Sequence, residues 1–161
     1  MFIIETDYEH QNKISHKAKY SMKALYSIKA EATGGRNGHV KSADGVLDID
    51  VRMPKALGGS TDGYANPEML FAAGYSACFD SALNRIISIR KIETGTTTVN
   101  VEIGLVSNGE GGFGLKASLA ANIPGVTAEL AEQLVADAHK ICPYSNAIKG
   151  NVDIILAATN I

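Results

Sequence analysis

One stretch of the chain constrains the fold more than any other, because it combines helical length with an unusual density of small side chains. Asn66 and Pro67 form a helix start signal, since asparagine caps helix N-termini and proline suits the first helical position. The segment from Glu68 to about Arg90 is long enough for a helix. Its small residues are Ala72, Ala73, Gly74, Ser76, Ala77, Ser81 and Ala82. Because small side chains let other elements approach the helix axis closely, we expect a central helix that is buried on several sides.

Strand-like alternation of apolar and polar residues lies on both sides of this helix in the sequence. Alternating runs over 26–30 and 47–53, with a short segment at 39–41, precede it, and runs over 99–105, 113–119 and 152–156 follow it. A second helix is predicted, with Thr127 as its cap, Cys142 on its inner face and Pro143 ending it, and residues 145–150 are predicted to form a turn. The predicted order is β-β-β-α-β-β-α-β. This order indicates an α+β domain in which antiparallel sheets wrap around the central buried helix and the second helix.

Length and composition limit the size of the domain and the classes of partner. The chain has 161 residues, and 15 Lys and Arg against 17 Asp and Glu give a net charge of −2. Such a balance offers no broad basic surface, so nucleic acid is a poor candidate partner. No apolar run approaches the roughly 20 residues of a membrane span, and the acidic N-terminus does not resemble a secretory signal, so we expect a cytoplasmic protein. Residues 22–161 are interpreted as a single domain. Residues 1–21 are interpreted as an N-terminal extension of this domain, in one interpretation a flexible arm.

A glycine-rich stretch from Gly109 to Gly114 matches the G-x-G-x-x-G pattern of dinucleotide-binding loops. Such a loop must connect a strand to a helix, so that the pyrophosphate meets the helix N-terminus. Here the glycines lie between two strand-like runs. The pattern therefore predicts a hairpin turn, and no nucleotide cofactor is expected.

The two cysteines, Cys78 and Cys142, are the residues with the clearest chemical potential. They lie in different predicted helices, and a reducing cytosol gives little support to a permanent disulfide between them. Three interpretations stay open from the residues alone: inert core thiols, metal ligands or redox chemistry. The metal interpretation adds His139, which shares a helix face with Cys142. However, no second ligand pair with metal-type spacing is present in the sequence.

Several stretches together resemble one known family. The segments that carry the resemblance are Asn66 to Phe79, Cys142 to Ala147, Ala32 to Gly38, Asp44 to Asp48, Asn108 to Gly114 and Gly150 to Asp153. They are similar to the organic hydroperoxide resistance (Ohr) proteins of the Ohr/OsmC family, in the family's order, from about Met22 to the C-terminus. The resemblance implies an OsmC-like fold and an intertwined homodimer.

The same resemblance implies a thiol-dependent peroxidase that reduces alkyl or fatty-acid hydroperoxides to alcohols. Matched position by position, Cys78 is the attacking cysteine and Cys142 the resolving one, and Arg36 and Glu68 complete the catalytic site. A guanidinium beside Cys78 would stabilise its thiolate, and Glu68 would hold the guanidinium in place. The resulting Cys78–Cys142 disulfide must be reduced by an external dithiol, and the resemblance points to a lipoylated protein. No cofactor and no metal are expected.

Helical spacing leads to a further expectation about the assembly. Glu68 and Cys78 are ten residues apart, which is about 15 Å along a straight helix. We therefore expect a homodimer in which the Arg36–Glu68 pair serves Cys78 of the partner subunit. The alternative to an enzyme is a non-catalytic redox sensor or an apolar-ligand binding protein that uses the same cysteines.

Overall fold

The computed structural model describes residues 23–161, and the predicted N-terminal extension lies outside the described residues. The predicted α+β class is confirmed, with six strands and three α-helices in the described part of the chain. The strands are β1 (Ala30–Thr33), β2 (His39–Ser42), β3 (Asp48–Asp50), β4 (Thr98–Ser107), β5 (Phe113–Asn122) and β6 (Ile154–Thr159). The helices are α1 (Pro67–Arg90), α2 (Ala128–Ile141) and α3 (Pro143–Ile148), with 3₁₀ turns at Gly35–Asn37 and Lys55–Leu57.

The first sheet has the order β1-β2-β3 and is antiparallel throughout. Its first strand begins at Ala30, four residues later than the alternation from Tyr26 predicted. All four residues of β1 are exposed. The apolar side chains of Tyr26 and Val46, 78% and 88% exposed, also face solvent. These two residues lie just outside the strands, so the region that flanks the first sheet leaves apolar surface uncovered in a single chain.

The second sheet has the order β4-β5-β6. The predicted hairpin is confirmed, because β4 and β5 pair antiparallel and the glycine-rich stretch turns the chain between them, with positive φ at Gly109 and Gly111. The predicted antiparallel pairing of the last strand is wrong, since β6 runs parallel to β5. Two helices separate these strands, and such a crossover returns the chain in the same direction, as parallel pairing requires.

The core lies between the second sheet and one face of α1 and α2. Tyr75, Phe79 and Leu83 of α1 are fully buried and belong to the same cluster as Leu134 of α2 and Leu119 of β5. Tyr75, Phe79 and Leu83 follow one another at intervals of four residues, so they share one side of the helix. No helix among the described residues combines the length and apolarity that a membrane crossing requires.

Helix α1 begins and ends as the sequence predicts, but its burial differs from the prediction. The Asn66 side chain accepts a hydrogen bond from the Met69 N–H at 2.8 Å, and the helix ends at Arg90. Burial on several sides is not seen within one chain, because Ala73, Ala77 and other small residues away from the core face are exposed. No element of the described chain therefore packs closely against these exposed small residues of α1.

The segment after Cys142 is helical, where a turn was predicted. Pro143 occupies the first position of α3, where its fixed φ favours a new helix and its missing N–H costs nothing. The Cys142 N–H still donates to the Ala138 carbonyl, so Cys142 is both the end of α2 and the start of α3. Proline thus marks a corner between two helices, and Cys142 lies at that corner.

Candidate active site

The structure brings the two cysteines together from distant parts of the sequence. Cys78 lies in α1 and Cys142 at the corner between α2 and α3, and their Sγ atoms are 3.7 Å apart. Both thiols are free. Cys142 is fully buried, whereas Cys78 is partly exposed. A disulfide has an S–S length of about 2.05 Å, so only a small local movement separates this pair from a bond.

The surroundings of Cys78 in a single chain favour its neutral thiol. Burial raises the pKa of Cys78, the backbone N–H of Tyr144 opposes this by donating a hydrogen bond to the sulfur, and the neighbouring Cys142 raises the pKa further. Among the residues that the structure describes, Arg36 is not one of the groups that shift the pKa of Cys78. One chain alone therefore does not supply the cation that the resemblance places beside the attacking sulfur.

An aromatic cluster lies beside the thiol pair. The rings of Phe71, Tyr75 and Tyr144 pack with centroids 5.9–6.1 Å apart, and Phe79 packs edge-on against Tyr75 at 6.4 Å. Gly74 makes room for this arrangement, because a Cβ there would lie 3.0 Å from the Tyr144 hydroxyl. Tyr75 and Phe79 are fully buried, so within this cluster Phe71 and Tyr144 are the residues with surface for contact with an alkyl group.

The residues of this cluster were not identified as functional from the sequence. Phe71, Tyr75 and Phe79 recur every four residues, and that spacing was the available signal for a shared helix face. Tyr144 could not be assigned to the same cluster, since its position depends on the unpredicted helix α3. The hydrogen bond between Tyr75 and Ser145 depends on that helix as well.

Arg36 and Glu68 form a second pair. The guanidinium of Arg36 donates two parallel hydrogen bonds to the Glu68 carboxylate, at 2.8 and 2.5 Å. This hydrogen bonding raises the pKa of Arg36 and lowers the pKa of Glu68. The predicted contact between the two residues is therefore present, and both groups are held in their charged forms.

Glycines around Arg36 determine how it reaches Glu68. Gly34 has φ of 71°, a left-handed conformation that glycine adopts without steric cost. Gly38 has no room for a side chain, because a Cβ there would lie 1.7 Å from the Thr33 carbonyl oxygen. The turn between β1 and β2 is thus compact, and it presents Arg36 toward the first turn of α1.

The two pairs are not joined into one site within a single chain. Glu68 lies in the first turn of α1, and the helix continues without interruption past Cys78. Ten residues of α-helix separate their Cα atoms by about 15 Å. The structure therefore brings Cys78 to Cys142 and Arg36 to Glu68, but leaves the two pairs apart along the same helix.

The residues of the metal interpretation do not form a metal site. Within residues 23–161, no three His, Cys, Asp or Glu side chains are grouped as a metal ion would require. His139 lies on α2, where burial lowers the pKa of its ring, and its Nδ1 atom has no hydrogen-bond partner among the described residues. His139 and the two cysteines therefore do not make the three-ligand arrangement that zinc catalysis uses.

Comparisons with known proteins identify the family of this chain. The family model described as OsmC-like protein matches residues 59–157. The organic hydroperoxide resistance protein of Xanthomonas axonopodis pv. citri is 41% identical over 128 residues, covering 79% of this chain and 89% of the relative. The organic hydroperoxide resistance protein OhrB of Bacillus subtilis is 44% identical over 126 residues, covering 78% of this chain and 91% of the relative.

A solved structure extends the similarity to the three-dimensional level. The crystal structure of an organic hydroperoxide resistance protein from Elizabethkingia anophelis superposes with a TM-score of 0.84 at 61% identity. The superposition covers 87% of this chain and 100% of the Elizabethkingia anophelis chain. The match to the OsmC-like family model, the sequence relatives and this superposition together show that the chain belongs to the Ohr/OsmC family.

Proposed function

We propose that this protein is an organic hydroperoxide reductase that works through Cys78 and Cys142. The observation that carries the proposal is the 3.7 Å separation of two free sulfurs, one partly exposed and the other fully buried. Family members named for organic hydroperoxide resistance support the choice of substrate. The accessible aromatic surface of Phe71 and Tyr144 near the thiols supports an alkyl or fatty-acid hydroperoxide over hydrogen peroxide.

The chemistry has two steps. The Cys78 thiolate attacks the terminal oxygen of the hydroperoxide and breaks its O–O bond, which with one proton yields the alcohol and a sulfenic acid on Cys78. The Cys142 thiol then attacks the sulfenic sulfur, forming the Cys78–Cys142 disulfide and releasing water. The partly exposed position of Cys78 suits the first step, and the buried position of Cys142 protects the resolving thiol from the oxidant.

An external dithiol completes the cycle in this proposal. Cys78 is the more accessible of the two cysteines, so the reductant attacks its sulfur and Cys142 leaves as the thiol. A second thiol on the reductant then releases Cys78 and forms the reductant's own disulfide. A lipoyl group carries two thiols on an apolar chain, which suits contact with the accessible rings of Phe71 and Tyr144. The proposed location is the cytoplasm, where dithiols are kept reduced.

The proposal includes a homodimer in which the Arg36–Glu68 pair acts on Cys78 of the partner subunit. Three properties of the single chain support it: the raised pKa of Cys78, the exposed apolar residues Tyr26 and Val46 that flank the first sheet, and the exposed small residues of α1. A guanidinium near Cys78 would lower the pKa of the thiol and offset its burial. Glu68 keeps this guanidinium oriented through two hydrogen bonds.

The test is a steady-state peroxidase assay with dihydrolipoamide as reductant. Purified protein should consume cumene hydroperoxide much faster than hydrogen peroxide, and Cys78→Ser should abolish consumption of both. Sedimentation under the same conditions should give the mass of a dimer. Equal rates with and without protein would contradict the reductase, and a fully active monomer would contradict the shared site.

A further inference from the structure

A buried hydroxyl pair bridges the two helices that carry the cysteines. The side-chain oxygens of Tyr75 and Ser145 lie 2.8 Å apart, and the two residues are 0% and 2% exposed. Tyr75 precedes Cys78 by three residues on α1, and Ser145 follows Cys142 by three residues on α3. The hydrogen bond therefore joins the helices about one turn away from each sulfur.

The position of Tyr75 is set by its own helix. Its ring packs edge-on against Phe71 and Phe79, which lie one turn before and after it on α1. Its hydroxyl is thus a fixed point that Ser145 must reach. Because both hydroxyls are buried away from water, separating them would leave two unsatisfied polar groups. The bond therefore resists movement of α3 away from α1.

Movement of α3 is the motion that matters for Cys142. This cysteine lies at the corner where α2 ends and α3 begins, and its carbonyl accepts hydrogen bonds from the backbone and side chain of Asn146. A shift of α3 would consequently carry Cys142 with it. The sulfurs must close from 3.7 Å to about 2.05 Å for a disulfide, and any outward drift of the corner lengthens that approach.

We propose that Tyr75 and Ser145 are positioning residues that hold Cys142 against Cys78. On this account they determine whether an oxidised Cys78 is captured as a disulfide or oxidised further. The part that concerns oxidation rests on the proposed reductase function, whereas the positioning of the two thiols does not.

The competition involves two fates of the same sulfenic acid. In capture, the Cys142 thiol displaces the hydroxyl oxygen from the Cys78 sulfenic acid, forming the disulfide and water. In over-oxidation, a second hydroperoxide transfers its oxygen to the sulfenic sulfur, giving the sulfinic acid and a second alcohol. Capture does not depend on hydroperoxide concentration, but over-oxidation does. Their ratio therefore reports how well Cys142 is positioned.

The first experiment measures this ratio by intact mass spectrometry. Wild type, Tyr75→Phe and Ser145→Ala are mixed with increasing cumene hydroperoxide, and the disulfide and sulfinic acid forms are quantified. For each variant, the hydroperoxide concentration that gives equal amounts of disulfide and sulfinic acid should be about three- to ten-fold lower than for wild type. This factor is the one expected for the loss of one buried hydrogen bond. The double variant should lose little more than either single variant, because the two residues act through one bond.

The second experiment omits hydroperoxide. The Cys78–Cys142 disulfide is equilibrated with reduced and oxidised glutathione, which gives the effective concentration of one thiol toward the other. Both variants should lower this value by about three- to ten-fold. If wild type fails to react with hydroperoxides, the reductase proposal fails, but this measurement still decides the positioning proposal.

Ile87→Val is the matched control for stability. Ile87 lies in the core on the same helix α1, nine residues beyond Cys78, and its truncation costs stability without touching the hydroxyl pair. It should leave the effective concentration at the wild-type value. The proposal is overturned if Tyr75→Phe and Ser145→Ala lower the melting temperature without changing either ratio, or if Ile87→Val changes the effective concentration as much as they do.

Discussion

The Arg36–Glu68 pair gives the most quantitative prediction, because both its geometry and its burial are defined. The guanidinium donates two hydrogen bonds to the carboxylate, and the side chains are 31% and 15% exposed. Arg36→Ala removes both bonds and leaves a mostly buried carboxylate unpaired. Hydrogen bonds to charged groups contribute about 1.5–3 kcal/mol, and the partial exposure of Arg36 reduces this. We expect the free energy of unfolding at pH 7 to fall by about 1–2 kcal/mol.

This loss should depend on pH in a direction set by Glu68. The hydrogen bond from Arg36 lowers the pKa of Glu68 below its usual value. A carboxyl whose pKa is lowered by folding contributes stability above the unfolded-state pKa, about 4.3, and loses it as the pH falls through the folded-state pKa. The difference between wild type and Arg36→Ala should therefore be complete at pH 7 and begin to shrink below about pH 4.3.

Urea unfolding followed by circular dichroism measures both effects, at one protein concentration so that assembly is held constant. The control is Arg90→Ala, which removes a more exposed ion pair with Asp137. Exposed pairs are screened by solvent, so the control should lose less stability. The reasoning is refuted if both variants lose the same stability, or if the loss in Arg36→Ala is equally large at pH 3.

Three further predictions follow from single positions. Gly38→Ala should unfold the Arg36 turn and lower the free energy of unfolding by more than about 3 kcal/mol, because the new Cβ would lie 1.7 Å from the Thr33 oxygen. The control Gly45→Ala, at φ of 73° with open space around it, should cost about 1 kcal/mol. Equal losses of stability in urea would contradict the steric argument. Lys91→Gly should stabilise the protein by about 0.5–1 kcal/mol in the same assay, since Lys91 ends α1 at φ of 54°, and a loss of stability would refute this. Cys142→Ser should accumulate sulfinic acid on Cys78 at hydroperoxide concentrations that leave wild type as the disulfide, as intact mass would detect.

The regular elements could be predicted from the sequence because their signals are local. Asn66 with Pro67 marks the start of α1, and the glycines at 109–112 mark the hairpin, without information from elsewhere in the chain. The parallel pairing of β6 could not be predicted in this way. It depends on the path of the chain through two helices, one of which begins at a proline that local rules interpret as a stop signal.

The same distinction between local signals and long-range contacts applies to the candidate site. Alternation and helical spacing assign Cys78 and Cys142 to helices, but no local pattern states that their sulfurs lie 3.7 Å apart. That expectation came from resemblance to the family. The contact of Arg36 with Glu68 came from the same source, and the geometry of α1 explains why it stays apart from Cys78 in one chain. Tyr75 and Ser145 were missed because their contact requires α3.

The central claim is that Cys78 and Cys142 form a disulfide when the protein reduces an organic hydroperoxide. The most direct measurement treats the fully reduced protein with one equivalent of cumene hydroperoxide and records the intact mass, the free thiols and the alcohol formed. The account predicts one alcohol per chain, a mass lower by about 2 units, and both cysteines recovered in one linked peptide. Complete recovery of two free thiols with no alcohol formed would contradict it.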